Sequence, residues 1–158
     1  MTRRFSRAFS LIEVVIAVMV LAIAVPPTLN LLDSAGAGRA DAINTTRSAM
    51  LATSVLETIT ADINSDAPGL GFEALADANA YLSSPSTGLY ARLSVYLEPY
   101  SSAGMSYSVD IGTLVASDGQ VSSNADDNLF RVITVRVSFP SASTASYEVP
   151  ISTMVSAL

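Results

Sequence analysis

Residues 9–25 form an apolar run that contains a single carboxylate, Glu13, at its fifth position. With residues 26–29, the run approaches the ~20 residues that a helix needs to cross the hydrocarbon core of a bilayer. The run therefore predicts a membrane-spanning helix. The segment before it is interpreted as its leader, and the segment after it as the part of the chain that the helix anchors.

The flank before this run is basic. Arg3, Arg4 and Arg7 lie there, and residues 1–8 contain no acid. Because such positive charge stays on the cytoplasmic side, the N-terminus is predicted to be cytoplasmic and the rest of the chain to be translocated. Glu13 is unusual, since a carboxylate at the centre of a membrane helix costs roughly 2.5–3.5 kcal/mol, and less near an end. We therefore expect Glu13 to have a partner.

The sequence around Glu13 resembles the leader of a known family. Residues 7–14 read Arg-Ala-Phe-Ser-Leu-Ile-Glu-Val. Together with the short basic leader and the apolar run, they resemble the N-terminus of type IV pilins and type II secretion pseudopilins. The resemblance implies that a prepilin peptidase cuts between Ala8 and Phe9 and that the new Phe9 amine is N-methylated. The family pattern has Gly before the cut, where this chain has Ala8.

The same resemblance implies a role for Glu13 in assembly. A free Phe9 amine and the Glu13 carboxylate are opposite charges in a medium where each is unfavourable alone. In pilin-like filaments the carboxylate of an incoming subunit meets the amine of its neighbour, so Glu13 and Phe9 would fix the axial register. The implied partners are other pilin-like subunits, the prepilin peptidase, an inner-membrane assembly platform and membrane lipid.

A conventional cleaved signal peptide is the alternative for this N-terminus. Ala22-Ile23-Ala24 fits an A-x-A cleavage site after an apolar region, and Thr2-Arg3-Arg4 has the paired arginines of a twin-arginine signal. Glu13 argues against this interpretation, because it would interrupt the apolar region with a charge.

Composition limits the chemistry of the chain. The 158 residues carry a net charge of −6, which argues against nucleic-acid binding. There is no Cys and no His, which argues for the exclusion of a disulfide framework, thiol catalysis, a zinc site and a Ser-His-Asp triad. The acids are dispersed rather than convergent, and we predict a protein that is not an enzyme and has no cofactor.

After the apolar run the pattern becomes amphipathic. Pro26 and Pro27 are predicted to kink or open the helix, because an internal proline removes a backbone hydrogen bond and clashes with the preceding turn. Beyond them, helical spacing predicts one buried face and one polar face. The predicted buried face is Ile43, Leu51, Val55, Leu56, Ile59 and Ile63, and the predicted polar face is Asp41, Asn44, Arg47, Ser48, Glu57 and Asp62.

The second half of the chain alternates with period two. This pattern predicts four strands around residues 89–97, 105–111, 133–139 and 147–153. One face of such a sheet is wet, so the sheet is expected to be antiparallel and to cover the apolar face of the helix with its other side. Pro150 cannot donate to a central ladder, which places the last strand at an edge.

The predicted fold class is α+β, a pilin-like fold in which a long N-terminal helix packs against a C-terminal four-stranded antiparallel sheet. Its parts are a cleaved leader (1–8), a transmembrane or filament-core helix half (9–29), an amphipathic helix half (30–63), a variable connector with a short helix (64–88) and the sheet of the globular head (89–158).

One loop is rich in oxygen ligands. Asp118, Asn124, Asp126 and Asp127 are weak candidates for calcium, which favours such oxygens. Their spacing fits no EF-hand loop, and clusters of Asn, Asp, Gly and Ser are also ordinary turn residues. Both interpretations are open at this point.

The resemblance implies a structural minor pseudopilin of the I type, which helps to initiate or tip the pseudopilus of a type II secretion system. The expected location is the inner membrane, single-pass, with an extracytoplasmic head that then enters a filament. A minor pilin of a type IV pilus or DNA-uptake filament is the alternative within the family. An exported or membrane-anchored binding module is the alternative from another class.

Overall fold

The computed structural model describes residues 10–141 and 146–157. The predicted cleavage site, Ala8 and Phe9, lies outside the described residues. The elements are helices α1 Leu11–Ile63, α2 Ala78–Ser83, α3 Leu89–Leu93 and α4 Glu98–Ser102, strands β1 Ser106–Val115, β2 Phe130–Phe139 and β3 Tyr147–Ser156, and 3-10 turns Phe72–Ala76 and Ala125–Asp127.

The chain forms two compact units, residues 1–40 and 41–158. The described part of the first unit is the start of α1, which continues as helix through Pro26 and Pro27. The Thr28 hydroxyl donates to the carbonyl oxygen of Val25 at 2.7 Å. A kink at the two prolines stays a prediction, because helix assignment alone does not measure a bend.

The second unit, the head, contains one described sheet with the order β1-β2-β3. Both pairings are antiparallel, with Val109 opposite Val135 and Val135 opposite Ile151. β3 lies at an edge and carries Pro150, as predicted. The α+β class and the antiparallel sheet are confirmed.

The buried face of α1 packs with the inner face of this sheet into one apolar core. Leu51, Val55 and Ile59 of α1 are at most 1% exposed, and they belong to the same cluster as Ile133 and Val135 of β2. The alternation of β2 is regular, with four buried positions separated by partly exposed ones. The predicted inner face of the sheet is therefore confirmed for β2. In β3, Val149 and Ile151 are partly buried against the core, whereas Tyr147 is 51% exposed.

β2 runs antiparallel to the part of α1 that belongs to the head. At the end of the head near Asp41, the hydroxyl of Ser141, which follows β2, donates to the Asp41 carboxylate at 2.9 Å. The opposite end of the head, near Asp62, is called the distal end. There the guanidinium of Arg131 lies 5.9 Å from the ring centre of Phe72. The N–H of Gly71, next to Phe72, donates to the carbonyl of Asp62 at 2.9 Å. The β1–β2 loop therefore lies at the distal end of the head.

The predicted first strand, around residues 89–97, is wrong, and the described sheet has three strands instead of four. This segment forms α3 and a following turn, and α4 comes next. Leu89, Leu93 and Leu97 are all buried, and their spacing of four residues places them on one helical face. Val95, which alternation placed on the inner face, is 76% exposed. The four-residue spacing of the three leucines indicates a helix.

Three positions of α1 also differ from prediction. Ser48 and Asp62 were placed on the polar face, but they are 0% and 6% exposed. Ile43 was placed on the buried face, but it is 46% exposed. The buried face is Ser48, Leu51, Ala52, Val55, Ile59 and Asp62, so it includes two polar side chains that a hydrophobic pattern cannot identify.

We predict that Ser48→Ala stabilises the head. The Ser48 hydroxyl is buried and has no hydrogen-bond partner among the described residues. Alanine removes the unpaired polar group and has the better helix propensity, so the free energy of unfolding should rise by roughly 1 kcal/mol. Urea unfolding of the full chain in detergent, followed by tyrosine fluorescence, measures the change. Ser54→Ala, at an exposed hydroxyl of the same helix, is the matched control and should stay within about 0.5 kcal/mol of the parent.

Candidate functional site: the start of helix α1 and the cluster at its end

Ser10 caps α1 in front of Glu13. The Ser10 carbonyl accepts from the Val14 N–H at 3.2 Å, and its hydroxyl accepts from the Glu13 N–H at 3.3 Å. Ser and Glu three residues apart have the spacing of a capping box, in which the side chain of an N-cap serine satisfies a free N–H of the first turn. This spacing, directly before an apolar run, is a sequence signal for the start of the helix.

Glu13 lies at the beginning of a helical segment that is apolar on all sides. The large side chains from Leu11 to Leu32 are between 43% and 86% exposed, and α1 is long and apolar enough to cross a membrane, a test applied to the described residues. A helix that is hydrophobic all round must be covered by lipid or by protein. Within the described part of the chain, the Glu13 carboxylate has no hydrogen-bond or ion-pair partner. It can therefore bind a cation that a second molecule supplies.

At the other end of α1, Asp62 binds two side chains of the connector and head. The Arg92 guanidinium donates from Nη1 to Asp62 Oδ1 at 2.8 Å and from Nη2 to Oδ2 at 2.5 Å. The Tyr81 hydroxyl donates to Oδ2 at 2.6 Å. A bidentate arginine–carboxylate pair is among the stronger polar contacts in proteins. This pair joins α1 to α3, and the Tyr81 hydrogen bond joins α2 to them.

The environment of this cluster shifts the pKa values of its members. Burial, assisted by the hydrogen bond to Asp62, raises the pKa of the Tyr81 hydroxyl well above its usual range. The hydrogen bonds to Asp62 raise the pKa of Arg92, against the opposing effect of burial. Arg92 is thus charged and Tyr81 protonated at any physiological pH. Each group is hydrogen-bonded to Asp62, which favours a structural role over an acid–base one.

The structure leaves the calcium candidates in ordinary turn contacts. Asp118 Oδ1 accepts from the Gln120 N–H at 2.9 Å, Asn124 Oδ1 accepts from the Asp126 N–H at 3.3 Å, and Asp127 Oδ2 accepts from the Ser122 hydroxyl at 3.1 Å. In the described ranges, no three acids, cysteines or histidines converge as metal ligands. These side chains therefore fit a calcium ion poorly, and calcium binding stays an untested prediction.

The start of α1 also matches a family model. Residues 3–25 match the prokaryotic N-terminal methylation motif. This match, together with a long apolar helix and an antiparallel sheet, supports a type IV pilin-like family. No curated protein and no solved structure matches the chain.

The matched motif bears on the site at Glu13. Proteins with a prepilin-type motif are structural and non-enzymatic, are processed by a prepilin peptidase and associate with other pilin subunits. An apolar helix behind this motif is consistent with anchoring in the inner membrane. Glu13 lies inside the matched residues, whereas the Asp62 cluster lies outside them.

We predict a late-titrating tyrosine in the head. Burial raises the pKa of Tyr107 to about 12, with a smaller contribution from Tyr90, against about 10 for a tyrosine in the unfolded chain. Because the folded pKa is the higher one, the resulting stabilisation is present below pH 10 and is lost as pH rises toward 12. Tyrosinate absorbance of the parent minus that of Tyr107→Phe should show a midpoint near pH 12. A midpoint near that of a free tyrosine would contradict the burial of this side chain.

Proposed function

We propose that this chain is a structural minor subunit, a pseudopilin, of a type II secretion pseudopilus, and that it helps to initiate or tip that filament. The observation that carries the proposal is Glu13, whose carboxylate has no partner among the described residues and lies on a helical segment that is apolar on all sides, inside a methylation motif. A carboxylate in lipid favours any arrangement that supplies a cation. The N-terminal amine of a processed neighbour is such a cation.

The proposed path starts at the inner membrane. The chain inserts with Arg3, Arg4 and Arg7 on the cytoplasmic side and the head outside, and the peptidase then frees the Phe9 amine. The Glu13 carboxylate of this subunit pairs with the Phe9 amine of the next one, so two unfavourable charges in lipid neutralise each other. Repeating this contact fixes the axial step between subunits. The assembly platform supplies the membrane site at which the first subunits meet.

Secretion phenotypes test which machine the subunit serves. Deleting the chain in its own cell should stop release of folded periplasmic proteins into the medium and leave surface pili and DNA uptake intact. Complementation with the parent chain should restore release, and complementation with Glu13→Leu should not. Loss of pili or of DNA uptake with normal secretion would support the alternative, a minor pilin of a type IV pilus or uptake filament.

A further inference from the structure

Helix α1 carries a second exposed stripe on the head, separate from its buried face. Ile43, Arg47 and Met50 are spaced by four and three residues, which places them on one side of the helix. Ile43 is 46% and Met50 58% exposed, and Arg47 is also exposed. We call these three residues the α1 stripe. It is a cation between two large apolar side chains, on the exposed side of the helix.

Arg47 differs from the other arginines of the head. Arg92 is paired with Asp62. Arg136 lies between two acids of the sheet, with ion-pair distances of 3.9 Å to Asp110 and 3.6 Å to Glu148. Arg131 donates to the Gly112 carbonyl at 2.9 Å. Among residues 41–141 and 146–157, Arg47 alone of the four has no hydrogen bond or ion pair.

The β1–β2 loop has the complementary chemistry. Val121 and Leu129 are 69% and 59% exposed, and they lie among the exposed carboxylates of Asp118, Asp126 and Asp127. The loop is held in shape by Asn128, whose amide donates to the Ser122 carbonyl at 3.0 Å and accepts from the Ser122 N–H at 2.8 Å. A preformed loop loses little conformational entropy on binding.

The α1 stripe and this loop lie at opposite ends of the head. The stripe is close to Asp41, whereas the loop follows the distal end of the sheet, where Arg131 contacts Phe72. From Arg47 to Asp62, the helix alone extends about 22 Å at 1.5 Å per residue. The two surfaces therefore cannot meet within one copy, but they can meet between copies that are displaced along the helix axis. Such a head-to-tail contact generates a ring if the rotation between copies closes and a helical arrangement if it does not.

We propose that the α1 stripe of one copy binds the β1–β2 loop of a second copy of this chain. Arg47 then pairs with the loop carboxylates, and Ile43 and Met50 cover Val121 and Leu129. The inference rests on the proposed filament function and adds a specific contact between adjacent heads. It requires at least two neighbouring copies of this chain in the assembly.

Disulfide cross-linking of the full chain in its own membrane tests this contact. The sequence has no cysteine, so the introduced thiols are the only ones that this chain contributes. Met50→Cys and Leu129→Cys, placed on separate co-expressed copies, should give a cross-linked dimer, and neither variant alone should give one. Thr60→Cys, at an exposed position on the same helix, replaces Met50→Cys as the matched control and should give none with Leu129→Cys.

Charge reversal tests the chemistry of the contact. Arg47→Glu in the Met50→Cys copy should lower the cross-linked fraction roughly fivefold, as for a lost ion pair at the edge of an interface. Asp126→Arg in the Leu129→Cys copy should restore it. Lack of restoration, or reaction of Met50→Cys with a different subunit instead of a second copy, overturns the proposed contact.

The Glu13→Leu background separates this contact from the proposed function. Cross-linking should disappear there, because unassembled copies are not held side by side. If Glu13 is needed for assembly but no cross-link forms in the parent background, the contact is wrong and the filament function stands. If cross-linking persists unchanged in Glu13→Leu, the heads associate without a filament, which overturns the dependence of this contact on assembly.

Discussion

Glu13→Leu is expected to leave membrane insertion and leader cleavage intact and to lower incorporation into filaments by about a hundredfold. Removing one partner of a buried charge pair costs roughly 2–5 kcal/mol, much of it from the charge left unpaired, and each 1.4 kcal/mol is about a factor of ten. Here the remaining charge is the Phe9 amine of a neighbour, in lipid. The substitution should make insertion itself slightly more favourable, because it removes a carboxylate from the apolar run.

The measurement compares the membrane and sheared-filament fractions of cells that produce the parent or the variant. Asp33→Leu is the matched control, because Asp33 is the next acid along α1 and lies after the apolar run. The control should assemble normally. Unaltered incorporation of Glu13→Leu would show that the carboxylate is not needed for assembly and would leave α1 as a simple membrane anchor.

Asp62→Ala should give the largest loss of stability in the head. It leaves the Arg92 guanidinium and the Tyr81 hydroxyl without their partner, and breaking a buried pair in this way typically costs 3–5 kcal/mol. Because the Arg92 side chain is 30% exposed, water screens part of that penalty. We expect roughly 2–4 kcal/mol for this partly exposed pair.

Urea unfolding of the full chain in detergent measures this loss as a lower midpoint with an unchanged slope. Tyr81→Phe removes one hydrogen bond to a charged group and should cost less, roughly 1.5–3 kcal/mol. Asp66→Ala is the control, since Asp66 is an exposed acid close in sequence to Asp62. An Asp62→Ala midpoint equal to that of Asp66→Ala would contradict a structural role for the cluster.

Features set by local pattern were predictable from sequence. The apolar run and its acid marked the start of α1, and strict alternation identified β2 and the edge strand with Pro150. Alternation was misleading at residues 89–97, because Leu89, Leu93 and Leu97 satisfy both a period of two and a period of four. Tertiary packing decided in favour of helix, with all three leucines buried.

The Asp62 cluster could not be predicted, because Tyr81 and Arg92 are 19 and 30 residues from Asp62 along the chain. Nothing in a single sequence indicates that Arg92 and Tyr81 reach back to the last turn of α1. The same reasoning holds for Ser48, whose burial reflects the close approach of α1 to the core and not its own polarity. At the start of α1 the situation is the reverse, because Ser10 and Glu13 lie three residues apart and their spacing is readable directly.

The central claim is that the chain is processed as a pilin, and the mature N-terminus tests it most directly. Intact mass and N-terminal sequencing of the protein from its own membrane should give a chain that begins at Phe9 and carries one methyl group on its amine. A chain that begins at Val25 would instead identify a conventional signal peptide, and it would lack Glu13 and the membrane helix on which the assembly proposal rests.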